Sequence, residues 1–252
     1  MTTAWTHLAM LNFEIDPAVL EPHVPTGTLL DTYQGRALVS VVAFRFNDTR
    51  VLGIGLPWHR NFAEINLRFY VRRLAHGSWR RGVVFIKEIV KLPLVAWTAR
   101  LLYDENFVVL PVRYGGDSRS LRYKWKFRGA WQQLALQTTG EPQWPTPGSE
   151  VEFVVNHNWG YTALGDGTTA EYRVDHPPWR VWNVTDSHFH CDVAGLYGDQ
   201  FAAALSGKPS SVTLVEGSPV AVYRGKRLTA TLPPQEHPAS PLPQLDPLAA
   251  TR

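Results

Sequence analysis

The chain of 252 residues has a single cysteine, Cys191, so no intrachain disulfide can form, and one thiol in a chain of this length fits a reducing compartment. Charged side chains are sparse at 19%, and the net charge of +3 is too small to imply a nucleic-acid partner. The pairs Arg72–Arg73 and Arg80–Arg81 read as strand ends beside a turn. Apolar runs are broken by Lys, Arg or Pro well short of the roughly 18 residues that a membrane helix needs. The N-terminal stretch MTTAWTHLAML lacks a basic segment followed by a long apolar one, so no signal peptide is expected and the expected location is cytoplasmic. Several chemistries lack their signatures. There is no HExxH or CxxC spacing for a metal, no GxSxG elbow and no Walker motif, and Gly53-x-Gly55 lacks the third glycine of a dinucleotide loop. No cofactor is implied, and no internal repeat is visible.

What the chain does have is apolar and aromatic material: 44% hydrophobic residues, with ten Trp, nine Tyr and eleven Phe. Such side chains suit half-buried sheet surfaces. Period-two alternation and turn residues mark strands at 5–15, 29–34, 37–46, 61–73, 82–90, 107–114, 121–127, 131–138, 159–164, 169–174 and 179–184. Val212–Val215 and Val220–Tyr223 read as a closing hairpin around Gly217. Short helices are expected after Asp16-Pro17, from Pro93 to Leu102, after the capping pair Ser149 and Glu152, and over Asp192–Leu205. The expected fold is mainly β with a few short helices, an antiparallel sheet curled into a barrel or sandwich. Residues 1–228 form one domain, and the proline-punctuated segment 229–252 reads as a disordered tail.

Strand 61–73 is the most informative. Ala63, Ile65, Leu67, Phe69 and Val71 share one face, and Glu64, Asn66, Arg68 and Tyr70 share the other. That polar face meets either solvent or an enclosed cavity, and in a cavity a carboxylate and a guanidinium could orient an organic acid or carbonyl compound. His188, His190 and Cys191 form a second cluster, too small by itself for zinc, which His157 or His176 could complete in space. Gly116-Asp117-Ser118 matches the opening of a hydrolase signature but sits mid-chain between strands, where it reads as a turn. His176-Pro177-Pro178-Trp179 reads as a rigid turn with a buried aromatic.

The order of features carries a resemblance. Trp5, Asp16-Pro17, Pro25-Thr26-Gly27, Leu30-Asp31 and Gly35-Arg36-Ala37 precede Glu64-Ile65-Asn66-Leu67-Arg68-Phe69-Tyr70-Val71, Gly82-Val83-Val84-Phe85 and Leu110-Pro111-Val112-Arg113-Tyr114. This run resembles the YqjF-like family of uncharacterised bacterial proteins (domain of unknown function 2071), which is similar in fold to acetoacetate decarboxylase. The resemblance implies an antiparallel, cone-like β-barrel with a central pocket lined by Glu64 and Arg68. In acetoacetate decarboxylase a lysine after a proline forms a Schiff base with substrate. Here Pro111 is followed by Val112 and Arg113, neither of which can form an imine, so that route requires another lysine to reach the pocket. Lys87, Lys91, Lys124 and Lys126 are the available ones, on faces expected to meet solvent.

The first reading is therefore a pocket protein that binds or transforms a small organic acid or carbonyl compound without a Schiff-base lysine. Its expected ligand-binding residues are Glu64, Asn66, Arg68, Tyr70, Arg113 and Tyr114, with no catalytic group assigned. Two alternatives stand beside it: a metal- or thiol-dependent enzyme using His188, His190 and Cys191, and a non-enzymatic interaction domain using exposed aromatics and the tail. The expected partner is a small molecule, with no nucleic acid and no membrane; the oligomeric state is not legible.

Overall fold

The computed structural model describes residues 1–55, 60–91 and 106–228. The helix expected from Pro93 and the tail from 229 lie outside the described residues. The strands are β1 (Thr2–Glu14), β2 (Leu29–Leu30), β3 (Leu38–Arg50), β4 (Phe62–Ala75), β5 (Ser78–Val90), β6 (Phe107–Val109), β7 (Val112–Gly116), β8 (Ser120–Phe127), β9 (Ala130–Gln143), β10 (Trp159–Ala163), β11 (Thr169–Asp175), β12 (Val181–His190), β13 (Ser211–Val222) and β14 (Lys226–Leu228). The helices are α1 (Pro17–Leu20), α2 (Glu150–Val155), α3 (Val193–Tyr197) and α4 (Asp199–Leu205), with a 3-10 turn at Glu21–His23.

All fourteen strands join one sheet in the order β14-β11-β10-β5-β4-β3-β1-β13-β12-β9-β8-β7, with β2 on β4 and β6 on β5. The extra pairing of Val174 and Asp175 in β11 with Val222 and Ala221 in β13 closes seven strands into a ring, β11-β10-β5-β4-β3-β1-β13. Most pairings are antiparallel; β10–β5 and β5–β6 are parallel.

The ring separates two cores. The outer one packs Leu11 and Phe13, Val39 and Val41, and Ile65, Leu67 and Phe69 against Tyr123, Trp125 and Leu134 of β8–β9 and Leu196 and Phe201 of α3 and α4. The inner one gathers Met10, Val42, Phe44, Phe62, Tyr70, Val83 and Tyr172 around Phe153 and Val154 of α2. Strands β1, β3, β4 and β5 are thus buried on both faces over much of their length, which explains near-continuous apolar runs such as Leu38-Val39-Ser40-Val41-Val42-Ala43-Phe44.

Local chemistry sets the breaks. Asp16 caps α1 by accepting the Ala18 N–H at 2.9 Å, and Ser149 caps α2 by accepting the Glu152 N–H at 3.2 Å, as their sequence patterns predict. His76 and Gly77, at φ 50° and 76°, turn β4 into β5. Asp117 accepts the N–H groups of Arg119 and Ser120, so Gly116-Asp117-Ser118 is a turn.

Four expectations need correction. The hairpin of 29–34 with 37–46 shrinks to a Tyr33–Arg36 bridge, and Leu29–Leu30 pairs with β4 instead, a contact that Asp31 extends by donating its N–H to the Tyr70 carbonyl at 2.9 Å. The hairpin around Gly217 is one continuous strand: β13 pairs β1 from Asn12↔Ser211 to Thr2↔Ala221. Gly217 marks a close approach rather than a turn, since a Cβ there would lie 2.0 Å from the Trp5 carbonyl oxygen. The strand begun near Trp179 runs on to His190; its second half is held by β9 pairing while facing solvent, so it lacks an apolar pattern. Asp192–Leu205 splits into α3 and α4 at Gly198, whose φ of 112° no helix accommodates.

Gly160 in β10 lies under the Tyr172 ring, where an added Cβ would fall 2.0 Å from the Tyr172 Cζ. Gly160→Ala therefore displaces Tyr172 from the ring interior, and chemical denaturation is expected to show a loss of about 1–3 kcal/mol. Unchanged stability would mean that Tyr172 repacks freely.

Candidate functional site

The interior of the ring is incompletely filled. A cavity of about 730 Å³ remains, with walls from all seven ring strands. Its size falls within the range of small-molecule sites. Most of the wall is apolar and aromatic: Trp5, Phe44, Phe46, Phe62, Phe85, Trp159 and Trp179 all contribute. Trp5 meets the Phe44 ring edge-on at 5.1 Å, and Phe46 stacks on Phe62 at 4.5 Å.

One stripe of the wall is polar. Glu64, Asn66 and Arg68 point inward from β4, opposite the outward Ala63, Ile65 and Leu67. Glu64 and Asn66 are buried, at 4% and 1% exposure, and the Asn66 Nδ2 donates to Glu64 Oε1 at 2.9 Å. Arg68 donates through Nη2 to the Val154 carbonyl at 3.2 Å, and its guanidinium lies 5.6 Å from the Tyr70 ring centre. The Val154 carbonyl is in the last turn of α2, where helix acceptors are not used internally. The buried Arg68 Nε and Asn66 Oδ1 have no partner. Leaving such a group dry costs about 1–3 kcal/mol.

Two groups outside the expected ligand-binding set join this stripe, Glu88 and His157, the second considered from sequence only as a metal ligand. Glu88, 2% exposed, faces the cavity from β5 directly opposite Asn66. It was masked by a bulge: Leu67 pairs with Lys87 but Arg68 with Phe85, so Ile86 is an extra residue and the alternation of β5 changes phase there. His157, just past α2, lies against Tyr70 at 4.6 Å and Phe153 at 5.2 Å between ring centres, with its side chain 1% exposed. Its Nε2 is 3.6 Å from Asp31 Oδ2, and the Arg81 Nε donates to the same oxygen at 2.7 Å. Burial lowers the His157 pKa to about 4, and Arg81 and Arg68 push the same way against Asp31. Burial raises the Asp31 pKa, but the His157 imidazole close by and the hydrogen bond from Arg81 outweigh it and the net shift is downward. His157 is thus a neutral imidazole beside a carboxylate. His176 also faces the cavity, stacked on Trp179 at 3.7 Å, with its pKa lowered by burial.

The remaining expected residues lie elsewhere. Tyr70 points inward but is fully buried behind Arg68, its hydroxyl 2.6 Å from that of Ser40. Arg113 and Tyr114 belong to the edge strand β7, not to the cavity wall: Arg113 lies over Trp131 at 4.6 Å, and Tyr114, 44% exposed, packs under Arg45. Val112 is buried in the outer core. None of the six lysines lines the cavity. Lys87 does not face solvent as expected; it is partly buried on the outer side of β5 and its ammonium donates to the Leu196 carbonyl. His188 and His190 are exposed on β12, while His157 and His176 are in the cavity wall, so these four do not converge. Among the described residues no group of three or more His, Cys, Asp or Glu could hold a metal ion. Burial, with Asp192 beside it, pushes the Cys191 thiol up to about 12, the opposite of a reactive thiol. Among the described residues no helix is long and apolar enough to cross a membrane.

The sequence profile of DUF2071, described as an uncharacterized conserved protein, matches residues 2–219. The chain belongs to this family. It is 33% identical over 207 residues to the protein YqjF of Bacillus subtilis (strain 168), covering 75% of this chain and 81% of that one. Its fold is that of acetoacetate-decarboxylase-like proteins. It superposes on the acetoacetate decarboxylase of Legionella pneumophila with a TM-score of 0.63 at 14% identity, over 90% of this chain and 87% of that one. The enduracididine biosynthesis enzyme MppR complexed with pyruvate gives 0.61 at 12% identity, over 90% of each chain. At these identities the structural likeness speaks for the fold alone.

Two measurements follow. His157 titrates near 6.5 when unfolded but stays neutral to about 4 when folded, so the unfolded chain takes up the proton first and stability falls as pH drops from about 6.5 toward 4. Between pH 7 and 5 this group should account for about 2 kcal/mol of the loss in urea denaturation, and His157→Phe should remove that component; an unchanged pH slope in the variant would contradict it. Cys191 in the native protein at pH 8 should react with a disulfide reagent at least about a hundredfold more slowly than in the unfolded chain, and equal rates would revive the thiol.

Proposed function

We propose that the chain is a small-molecule pocket protein whose ligand is an organic acid or carbonyl compound held at Arg68. The observation that carries this reading is the Arg68 guanidinium in the polar stripe of a cavity whose wall is for the most part apolar. A carboxylate or carbonyl oxygen is the natural partner for that donor, and in a site that excludes water each such bond is strengthened. Asn66 and Glu64 form the adjoining part of the binding stripe. Support of a more distant kind comes from MppR, a protein of the same fold, which is complexed with pyruvate.

Any chemistry in this cavity proceeds without an imine on lysine. All six lysines are accounted for outside its wall, and Val112 and Arg113 stand after Pro111. The groups available are carboxylates, the guanidinium groups of Arg68 and Arg224, and imidazoles, a set suited to proton transfer or to sequestration of the ligand.

Arg68→Ala tests the reading. A panel of mono- and dicarboxylic acids and ketones is screened by thermal shift; acids that raise the melting temperature of the wild type should lose that effect in the variant, with affinity lower by about 10–100-fold. The variant itself should fold, since the substitution removes a charge that lacks full pairing. Shifts that persist undiminished in the variant, or a wild type that responds to no member of the panel, would reject it.

A further inference from the structure

The cavity has a closed end and an open one. On β4 its wall runs from Arg68 past Asn66 and Glu64 to Phe62, and on the paired strand β3 from Val42 past Phe44 and Phe46 to Val51. At the Arg68 end the lining is buried: Arg68 is bonded to the Val154 carbonyl of α2, and Val155 and His157 beyond it are buried. At the other end the lining side chains turn outward. Leu52 is 93% exposed and Ile54 67%, and Tyr223 and Arg224 are exposed beside them in the same wall. Arg68 and Phe62 are six residues apart, which on a strand is about 20 Å.

The rim is also strained. Val51 and Ile54 exchange both backbone hydrogen bonds at 3.0 Å, so Leu52 and Gly53 are the two central residues of a tight hairpin turn. Both have positive φ, 52° and 81°. Turns of this kind favour Asn or Asp before the glycine, because a short polar side chain tolerates the left-handed backbone. Leucine does not, and here its apolar surface stands almost wholly in water. The hairpin would close at least as well on Asn-Gly. What leucine adds is an apolar side chain on the rim of an aromatic-walled cavity.

We infer that the cavity takes a long-chain monocarboxylic acid, lying with its carboxylate toward Arg68 and its chain toward Leu52 and Ile54. This rests on the reading of Arg68 as the anion anchor and says what the anion is attached to. Arg68 is only partly buried in the cavity wall, whereas Glu64 and Asn66 are buried, so the surface along the chain is chiefly that of Trp5, Phe44, Phe46 and Phe62. A fully extended chain advances about 3.5 Å for every three bonds, so about 16 carbons cover the distance from Arg68 to Phe62 and bring the chain end to the rim. A three- or four-carbon acid would leave most of the 730 Å³ unfilled and would not approach Leu52.

Equilibrium dialysis of the full chain at pH 7 against labelled octanoate, dodecanoate and hexadecanoate, each kept below its aggregation concentration, tests this. Affinity should rise at least about tenfold at each step of four carbons. Arg68→Ala should weaken all three acids. Leu52→Asn should weaken hexadecanoate at least about threefold and leave octanoate within about twofold, with a melting temperature equal to the wild type or higher because Asn suits the turn. If the three acids bind alike and all depend on Arg68, the long-chain inference is overturned and the anion anchor stands. If affinity climbs with length but Arg68→Ala changes nothing, or if no acid binds, both fall. Hexadecanoate binding that is untouched by Leu52→Asn overturns the path to the rim and the inference with it. The wild-type ratios and Leu52→Asn decide the inference even where Arg68→Ala does not fold.

Discussion

From Phe62 to Val71 strand β4 has no solvent face, and much of the molecule depends on that constraint. Ala63, Ile65, Leu67 and Phe69 lock into the outer core, so the alternate residues must enter the ring. On a sheet with one wet side, Glu64, Asn66 and Arg68 would be hydrated at little cost. Inside the ring each must find a partner, because a dry polar group costs more than a hydrogen bond gains. Asn66 binds Glu64, and Arg68 reaches the Val154 carbonyl of α2. The helix thereby acquires a role beyond packing: its terminal carbonyls need donors, and Arg68 supplies one. Behind Arg68, hydrogen bonds run from Tyr70 to Ser40, Asn12 and Ser211, and on to Glu150 in the first turn of α2. The polar stripe and the helix are therefore fixed to the same frame.

How much of this could be read from the residues depends on whether the information was periodic. The two faces of β4 were legible because alternation survives in the sequence, as was the face shared by Leu121, Tyr123 and Trp125. Which face of β4 met a cavity was not, since alternation says nothing about what covers each side. Glu88 was hidden by the bulge at Ile86, and Lys87 was assigned to solvent for the same reason. His157 follows a short helix in an irregular segment, where no period exists to place it. Arg113 and Tyr114 were drawn in only by their position beside Val112; the strand that carries them is at the edge of the sheet. The continuous strand β13 was read as a hairpin because its central glycine signals both turns and close backbone approach, and only the partner strand distinguishes them.

The likeness to acetoacetate-decarboxylase-like folds and the absence of lysine from the cavity wall are compatible once scaffold and site are treated separately. Ring closure between β11 and β13 and the two cores follow from apolar patterning, which tolerates extensive substitution. The reactive group depends on single positions. With Val112 turned into the outer core, the fold remains and no lysine stands in the cavity wall.

What replaces it is a field with direction. Glu64 and Arg68 are four residues apart on one strand, a separation of roughly 13 Å between Cα atoms, and Glu88 faces the cavity beside Asn66 between them. The carboxylates thus crowd one part of the stripe and the guanidinium holds the other. Phe44, which pairs with Glu64 across β3 and β4, brings the aromatic wall and the Trp5 indole to the acidic part. Keeping His157 neutral completes the arrangement. A protonated imidazole beside Arg68 and Arg81 would add a third cation where burial already disfavours charge, whereas the neutral ring can pack against Tyr70 and Phe153 without that cost.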